Sequence, residues 1–389
     1  MRSRDRKPGG MWLDQPRNPK APLAGLKVLE LARVLAGPWA GQILADLGAD
    51  VIKIESPAGD GTRLWGPPWV EREEGDREAA YYHAANRGKR SVIADFKNAD
   101  DLRRVRELAA GADVVLENFK TGTLARFGLD FASLEALNPR LVYCSITGFG
   151  QTGPRAREAG YDFVIQAMSG FMALTGEPAG QPMKMGISIS DLTCGLYSVI
   201  GIQAALAMRE RTGRGQHVDM ALLDCSVGLL ASQATHYLTT GENPPRMGNE
   251  HAQVSAYGVF PVADGEVVLA PANDGLFRKL LALLGREDLL GEEKFASNEA
   301  RLANRAELDA MIAAETRKWQ LDELLADCAE DGIPAGRVNA IDAVFEDPQV
   351  RARGMRIDLD GIPGVRSPFT FSEGELALDR PSPRKGEHG

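Results

Sequence analysis

Short apolar runs alternate with longer amphipathic stretches through the first half of the chain. Leu26–Arg33 (LKVLELAR) is of strand length. GPWAGQILADLGA after it reads as a helix, with Pro38 suited to the first helical position and Gly48 to the exit. Asp50–Glu55 (DVIKIE) and Ser91–Phe96 (SVIADF) are the next strands, and the charged stretch NADDLRRVRELAAG is the helix that follows. Asp113–Phe119 (DVVLENF) and Leu141–Phe149 (LVYCSITGF) continue the alternation. Strands alternating with helices predict a mostly parallel sheet covered on both faces, so this half is a doubly wound, Rossmann-like α/β domain.

From Asp191 to Arg211 the pattern is one long, mostly apolar helix stopped at TGRG, and DMALLDCSVGLLASQATHYLTTG is a second helical run. Ser255–Ala270 then reads as two strands around an Asp264-Gly265 turn. Helical patterns follow at GLFRKLLALLG, NRAELDAMIAAETRK and LDELLADCAEDG. The expected organisation is a disordered leader over 1–20, a large α/β domain over 21–224, a smaller α+β domain over 225–335, and a return to the large domain over 336–389. In that return SPFTFS reads as a strand and DRPSPRKGEHG as a frayed end.

A length of 389 residues suits two domains. The net charge of −9 lacks the basic footprint of a nucleic-acid binder, although local basic clusters can still take small anions. The four cysteines form no CxxC pair and read as reduced, buried thiols of a cytoplasmic protein. No uninterrupted apolar run reaches the length of a membrane span. The start, charged and rich in Pro and Gly, is not a signal peptide.

Several chemistries lack their residues. No two histidines sit at i, i+4, and none has a carboxylate or cysteine at ligand spacing, so no metal site is expected. There is no G-x-S-x-G elbow, and the first strand is followed by ARVLAGPWAG in place of G-x-G-x-x-G. NRGKRSVIADFK gathers Arg87, Lys89, Arg90 and Lys97 into either a solvated face or a cradle for an anion. GDGTRLWGPPW (Gly59–Trp69) is a packed surface loop or an active-site lid. Asp191, at the head of the long helix, is open to two readings. Aspartate is a favoured N-cap, and a carboxylate among free helix amides also suits a covalent nucleophile.

Taken in order, PLAGLKVLELARVLAGPWAGQILADLGADVIKIESPAGDGTR, NRGKRSVIADFK, ADVVLENFKTGTLARFGL, LNPRLVYCSITGFGQTGP, GYDFVIQAMSG, SDLTCGLYSVIGIQAALAMRERTGRGQ and DGIPAGRV resemble the class III CoA-transferases. That family includes the formyl-CoA:oxalate and carnitine CoA-transferases. The resemblance implies a two-domain chain in an interlocked homodimer, an acyl-CoA thioester and a carboxylic acid as substrates, and no resident cofactor. It places the family's nucleophilic aspartate on Asp191, which would form a mixed anhydride and then an aspartyl-CoA thioester. It places CoA contacts on Leu35 and Ala36, on Ala94, Asp95, Phe96 and Lys97, on Asn118, Phe119 and Lys120, and on Arg126. Tyr161 and Asp162 would lie near the reacting centre, and Lys97 and Arg126 would meet the ADP phosphates.

Departures from the formyl-CoA enzymes narrow the branch. Leu35 stands for their glutamine, Ser56 for a CoA-binding arginine, and RMGNEHAQVSAYG for their glycine-rich loop. The chain is more similar to the branch that takes succinyl-CoA and dicarboxylates, such as succinate–hydroxymethylglutarate CoA-transferase. Arg246 and Lys184 are candidates for the acceptor's distal carboxylate. The alternatives are an α-methylacyl-CoA racemase, for which Asp162 is present but the histidine before NPRLVY is not, and a non-catalytic CoA-binding relative.

Overall fold

The computed structural model describes residues 11–73 and 75–389. The chain divides into two compact units: one holds the chain up to Met172, Lys184–Glu242 and Pro348–Gly389, the other Ala173–Met183 and Asn243–Asp347. The boundaries differ from the expected ones. Residues 225–242 stay with the large unit, where Leu222 and Cys225 enter the core, and the return begins at Pro348.

A six-stranded sheet organises the large unit. In chain order its strands are β1 (Lys27–Glu30), β2 (Asp50–Glu55), β3 (Arg90–Ile93), β4 (Val114–Glu117), β5 (Val142–Thr147) and β6 (Gln216–Ala221). Their spatial order is 3-2-1-4-5-6, with every pairing parallel. The period of two sorts their residues. Val28, Val114 and Val142 enter a core with Ile43 and Ile202, whereas Leu29, Val115 and Tyr143 enter a second core with Val105 and Leu108. Helix α1 (Ala36–Asp46) and the long helix α4 (Ile189–Thr212) supply the first core, and α2 (Ala99–Ala110) the second. Two more helices matter below, α3 (Asp162–Met168) and α5 (Leu222–Gly228).

β6 is absent from the sequence reading, which ran DMALLDC into a helix. Val218 and Met220 of this edge strand are only partly buried against the core and a polar residue separates them, so its apolar signal is weaker than that of a central strand. By length and composition α4 could cross a membrane, with a mean hydropathy of 1.3 over its most apolar window. Ile202 and Cys194 bury one of its faces in the large-unit core.

Both chain ends pack more than expected. Of the predicted leader, residues 1–10 lie outside the described residues. Beyond them Trp12 is buried, and Arg17 donates to the carbonyls of Gly88, Ala45 and Ala377. At the other end Ser382 is fully buried, and Arg384 is paired with Asp76 and Glu73. Composition reads these segments as disordered because their fixing partners are distant in sequence. SPFTFS is not a strand; Arg356–Leu359 and Ile362–Val365 form the hairpin there.

The small unit holds a three-stranded antiparallel sheet in which Gly265–Leu269 lies between Gly258–Val262 and Ala335–Arg337. Helices Asp274–Leu283, Arg305–Thr316 and Leu321–Asp331 bury Leu280, Leu308 and Leu324 with Phe260 and Val267.

Candidate active site

In a sheet of this strand order, ligands bind outside the carboxyl ends of the strands, where the chain order reverses. Here the reversal lies between β1 and β4, and a cavity of 380 Å³ sits there. Arg33–Ala36 line it from behind β1, Asn118–Lys120 from behind β4, and Thr147 and Gly148 from β5. Asp191 and Tyr161 complete the wall. Asn118 ties two of these loops together. Its side chain accepts from the Arg33 amide at 2.8 Å and donates to the Arg33 carbonyl at 2.6 Å.

Asp191 is not the cap of its helix. Ser188 occupies the N-cap position without a side-chain capping bond, and Asp191 falls in the first turn. The cap comes from α3: Asp162 Oδ1 accepts the amides of Ser190 at 2.9 Å and Asp191 at 3.4 Å. Gln166, fully buried, donates to Asp162 Oδ2 at 2.7 Å and accepts the Met185 amide at 2.9 Å. With its first amides satisfied from outside, the helix leaves the Asp191 carboxylate free of capping duty. One turn on, α4 touches α1. A Cβ on Gly195 would stand 2.7 Å from the Ala36 carbonyl and 3.0 Å from Trp39. Glycine there allows the close approach that sets Asp191 beside Leu35 and Ala36.

Among the described residues no side chain donates a hydrogen bond to the Asp191 carboxylate. Burial, and secondarily the charge of Asp162, push its pKa up to about 7. Nearby, burial pushes Glu117 at the end of β4 up to about 7 as well, although the Phe119 amide donates to its Oε2 at 2.7 Å.

Asp191, Leu35, Ala36, Asn118, Phe119, Lys120 and Tyr161 therefore share one cavity. Ala94, Asp95, Phe96, Lys97, Arg126 and Asp162 do not line it. Ala94 is buried in the second core, and Asp95 accepts the Lys97 amide in a turn. Phe96 packs with its ring tilted against Phe119 and Phe127, with ring centres 6.2 and 5.6 Å apart. That aromatic cluster brings the segments of Lys97, Lys120 and Arg126 together, all three exposed. Arg33, which the sequence reading passed over, lies over the Phe119 ring at 4.8 Å and adds a cation to the rim.

The other basic residues of NRGKR are neither solvated face nor open cradle. Arg87 pairs with Asp46, Lys89 with Glu30 and Arg90 with Asp50, all buried. The positive residues are legible in the sequence, but their acidic partners lie 40 or more positions away.

A second cavity, of 500 Å³, shares Leu35 with the first and adds Trp39, Tyr81, Arg87, Ser188 and Gly364. Tyr81 is hydrogen-bonded to Ser188; burial, then the charge of Asp191, raise its pKa. Arg87 uses Nε and Nη2 on Asp46, at 2.9 and 2.6 Å. Its Nη1 makes no hydrogen bond among the described residues and faces the space over Gly364. The two cations expected to take a distal carboxylate are engaged elsewhere. Arg246 donates to the carbonyls of Glu177 and Gly180 in the small unit, and Lys184 to that of Met185.

Comparison with known proteins gives the same picture at the level of whole chains. A succinate–glutarate CoA-transferase from Agrobacterium fabrum is 54% identical over 378 residues, covering 95% of this chain and 94% of that protein. The human succinyl-CoA:glutarate CoA-transferase is 36% identical over 390 residues, covering 97% and 87%. The crystal structure of a CAIB/BAIF family protein from Brucella suis superposes with a TM-score of 0.87 at 57% identity, covering 95% of this chain and 98% of that one. The family model for CoA-transferase family III matches residues 23–389. With the strand order, the switch-point cavity and full-length relatives in agreement, this chain belongs to CoA-transferase family III and is a CoA-transferase.

Proposed function

We propose that the chain moves CoA from succinyl-CoA to a dicarboxylic acid, with Asp191 as the nucleophile. The observation that carries this reading is a carboxylate without a hydrogen-bond donor among the described residues, in a switch-point cavity whose rim is basic. In the first step an Asp191 oxygen attacks the thioester carbonyl, the C–S bond breaks, and CoA leaves as thiolate from a mixed anhydride. The thiolate attacks the aspartyl carbonyl and releases the donor acid, leaving an aspartyl-CoA thioester. The acceptor carboxylate then repeats both steps in reverse, and Asp191 is regenerated as carboxylate. Lys120 and Arg33 at the rim, with Lys97 and Arg126 beyond the Phe96–Phe119 cluster, are suited to the phosphates of CoA.

The second cavity fits the acid side of the reaction. Arg87 Nη1 offers a charged donor there, which suits a second carboxylate on the acceptor. The relatives named for glutarate, mesaconate and citramalate transfer act on acids of that class. The racemase alternative needs Asp162 as an acid–base group, whereas both its oxygens hold structural hydrogen bonds. The interlocked homodimer also belongs to this proposal. Ile200 (62% exposed), Phe163 (59%) and Leu238 (80%) leave an apolar surface on the large unit that a second copy would cover.

The test is to incubate the protein with succinyl-CoA and paired acids of equal chain length, and to follow new acyl-CoA species by mass. Dicarboxylates should be used at least a hundredfold better than their monocarboxylate counterparts. Equal use of both would remove the role given to Arg87, and no new acyl-CoA from any acid would remove the reading.

A further inference from the structure

Between β1 and α1 the backbone makes a turn that ordinary side chains resist. Val34 has φ +70, the left-handed region in which a β-branched residue is an outlier. Such conformations persist where the surroundings over-determine them, and they gather at functional sites. Val34, Leu35 and Ala36 all line the Asp191 cavity.

What fixes the turn lies beneath it. Glu30, Lys53 and Lys89 are fully buried and Asp60 is 2% exposed. Lys53 Nζ stands 3.0 Å from Glu30 Oε1 and 3.0 Å from Asp60 Oδ2, and Lys89 Nζ stands 2.8 Å from Glu30 Oε2. Two cations and two carboxylates leave the group without net charge. A Cβ on Gly41 would collide with the Glu30 carboxylate, so glycine makes room for the group. Two of these charges also reach the backbone of the same turn, and a third holds the helix that follows it. Lys53 donates to the Ala32 carbonyl at 2.8 Å and Asp60 Oδ2 accepts the Val34 amide at 3.3 Å, while Lys89 donates to the Pro38 carbonyl in the first turn of α1 at 2.8 Å. Asp60 is itself pinned, its Oδ1 accepting from both the amide and the hydroxyl of Thr62.

Buried ion groups are a poor device for stability alone, because well-packed apolar residues of similar volume often serve as well. This one is aimed at the backbone of a single turn and the start of the helix after it. We propose that Asp60 is a positioning residue for the transfer reaction: through the Val34 amide it holds the left-handed turn that presents Leu35 and Ala36 to the Asp191 cavity. The proposal rests on reading that cavity as the transfer site. Asp60 touches no reacting atom and works only through the turn.

Two substitutions separate this role from general support of the fold. Asparagine at position 60 loses the charge opposite Lys53 and weakens the hold on Val34. Glycine at position 34 takes the left-handed conformation without strain, so the hold should matter less there. Asp60→Asn should lower kcat at least tenfold with the KM for acyl-CoA within about twofold, and should expose the Val34 amide to hydrogen exchange. In a Val34→Gly background the same substitution should cost no more than about threefold. An equal loss in both backgrounds would mark a merely structural role and overturn the proposal. So would wild-type kcat with an unchanged Val34 amide. If Asp60→Asn does not fold, Lys53→Met with Asp60→Asn removes the ion pair together and is judged by the same outcomes. Should the wild type prove inactive as a transferase, the exchange of Val34 still reports whether Asp60 holds the turn.

Discussion

Replacing Asp191 by asparagine separates chemistry from architecture. Asparagine keeps the shape and removes the charge. The proposed nucleophile cannot be replaced by an amide, so on that reading turnover should fall by roughly a thousandfold or more. Stability should move the other way. The carboxyl binds its proton more tightly in the folded protein, at about 7, than at its ordinary 3.8. The folded state therefore loses stability as pH rises from about 4 to about 7, and the whole loss is present above 7. At about 1.36 kcal/mol per pH unit, the loss between pH 5 and pH 8 is about 3 kcal/mol. Asparagine is free of it. Unfolding entropy of about 0.8 kcal/mol/K for 389 residues converts this into about 4 °C. The variant should thus melt higher than wild type at pH 8, with a smaller difference at pH 5, measured by thermal scans of both proteins at both pH values. Mass spectrometry should find a hydroxylamine-sensitive CoA adduct on the Asp191 peptide of the wild type only. An active Asn variant would refute the nucleophile. A melting difference independent of pH would refute the buried charge.

Asp162→Asn keeps an acceptor for the helix amides but removes the charge that adds to burial in raising Asp191, so the acidic limb of the rate–pH profile should shift to lower pH while the protein stays folded. Gly195→Ala forces a methyl against the Ala36 carbonyl; denaturant titration should show a loss of about 1–3 kcal/mol, and kcat should fall as Asp191 moves away from Leu35. The proposed threaded dimer cannot separate without unfolding, so light scattering and mass photometry should find it undissociated down to nanomolar concentration; a monomer on native dilution would contradict the threading.

Sequence by itself determined the elements and the kind of chemistry. DVIKIE is a strand because it is a short, β-branched apolar run of strand length, and Asp50–Glu55 forms with those bounds. Asn98 before a charged amphipathic run fixes the start of α2, where its side chain accepts the amides of Asp100 and Asp101. The motif order carried the family and put Asp191, Leu35, Asn118 and Lys120 forward together, and the cavity at the sheet's reversal point contains all four.

Tertiary structure decided what each charge does. In the sequence Asp191 is a plausible cap and Arg87, Lys89 and Arg90 a plausible anion cradle. Asp162, 29 residues away, takes over the capping, and Asp46, Glu30 and Asp50 claim the cations through pairs 40 to 59 residues apart. The strained turn at Val34 is invisible in the chain for the same reason, since Asp60 and Lys53 meet it only after β1 and β2 have paired. Periodicity is a local property and survives in one dimension. The protonation of a carboxylate depends on what surrounds it, and those neighbours are assembled only when the sheet closes.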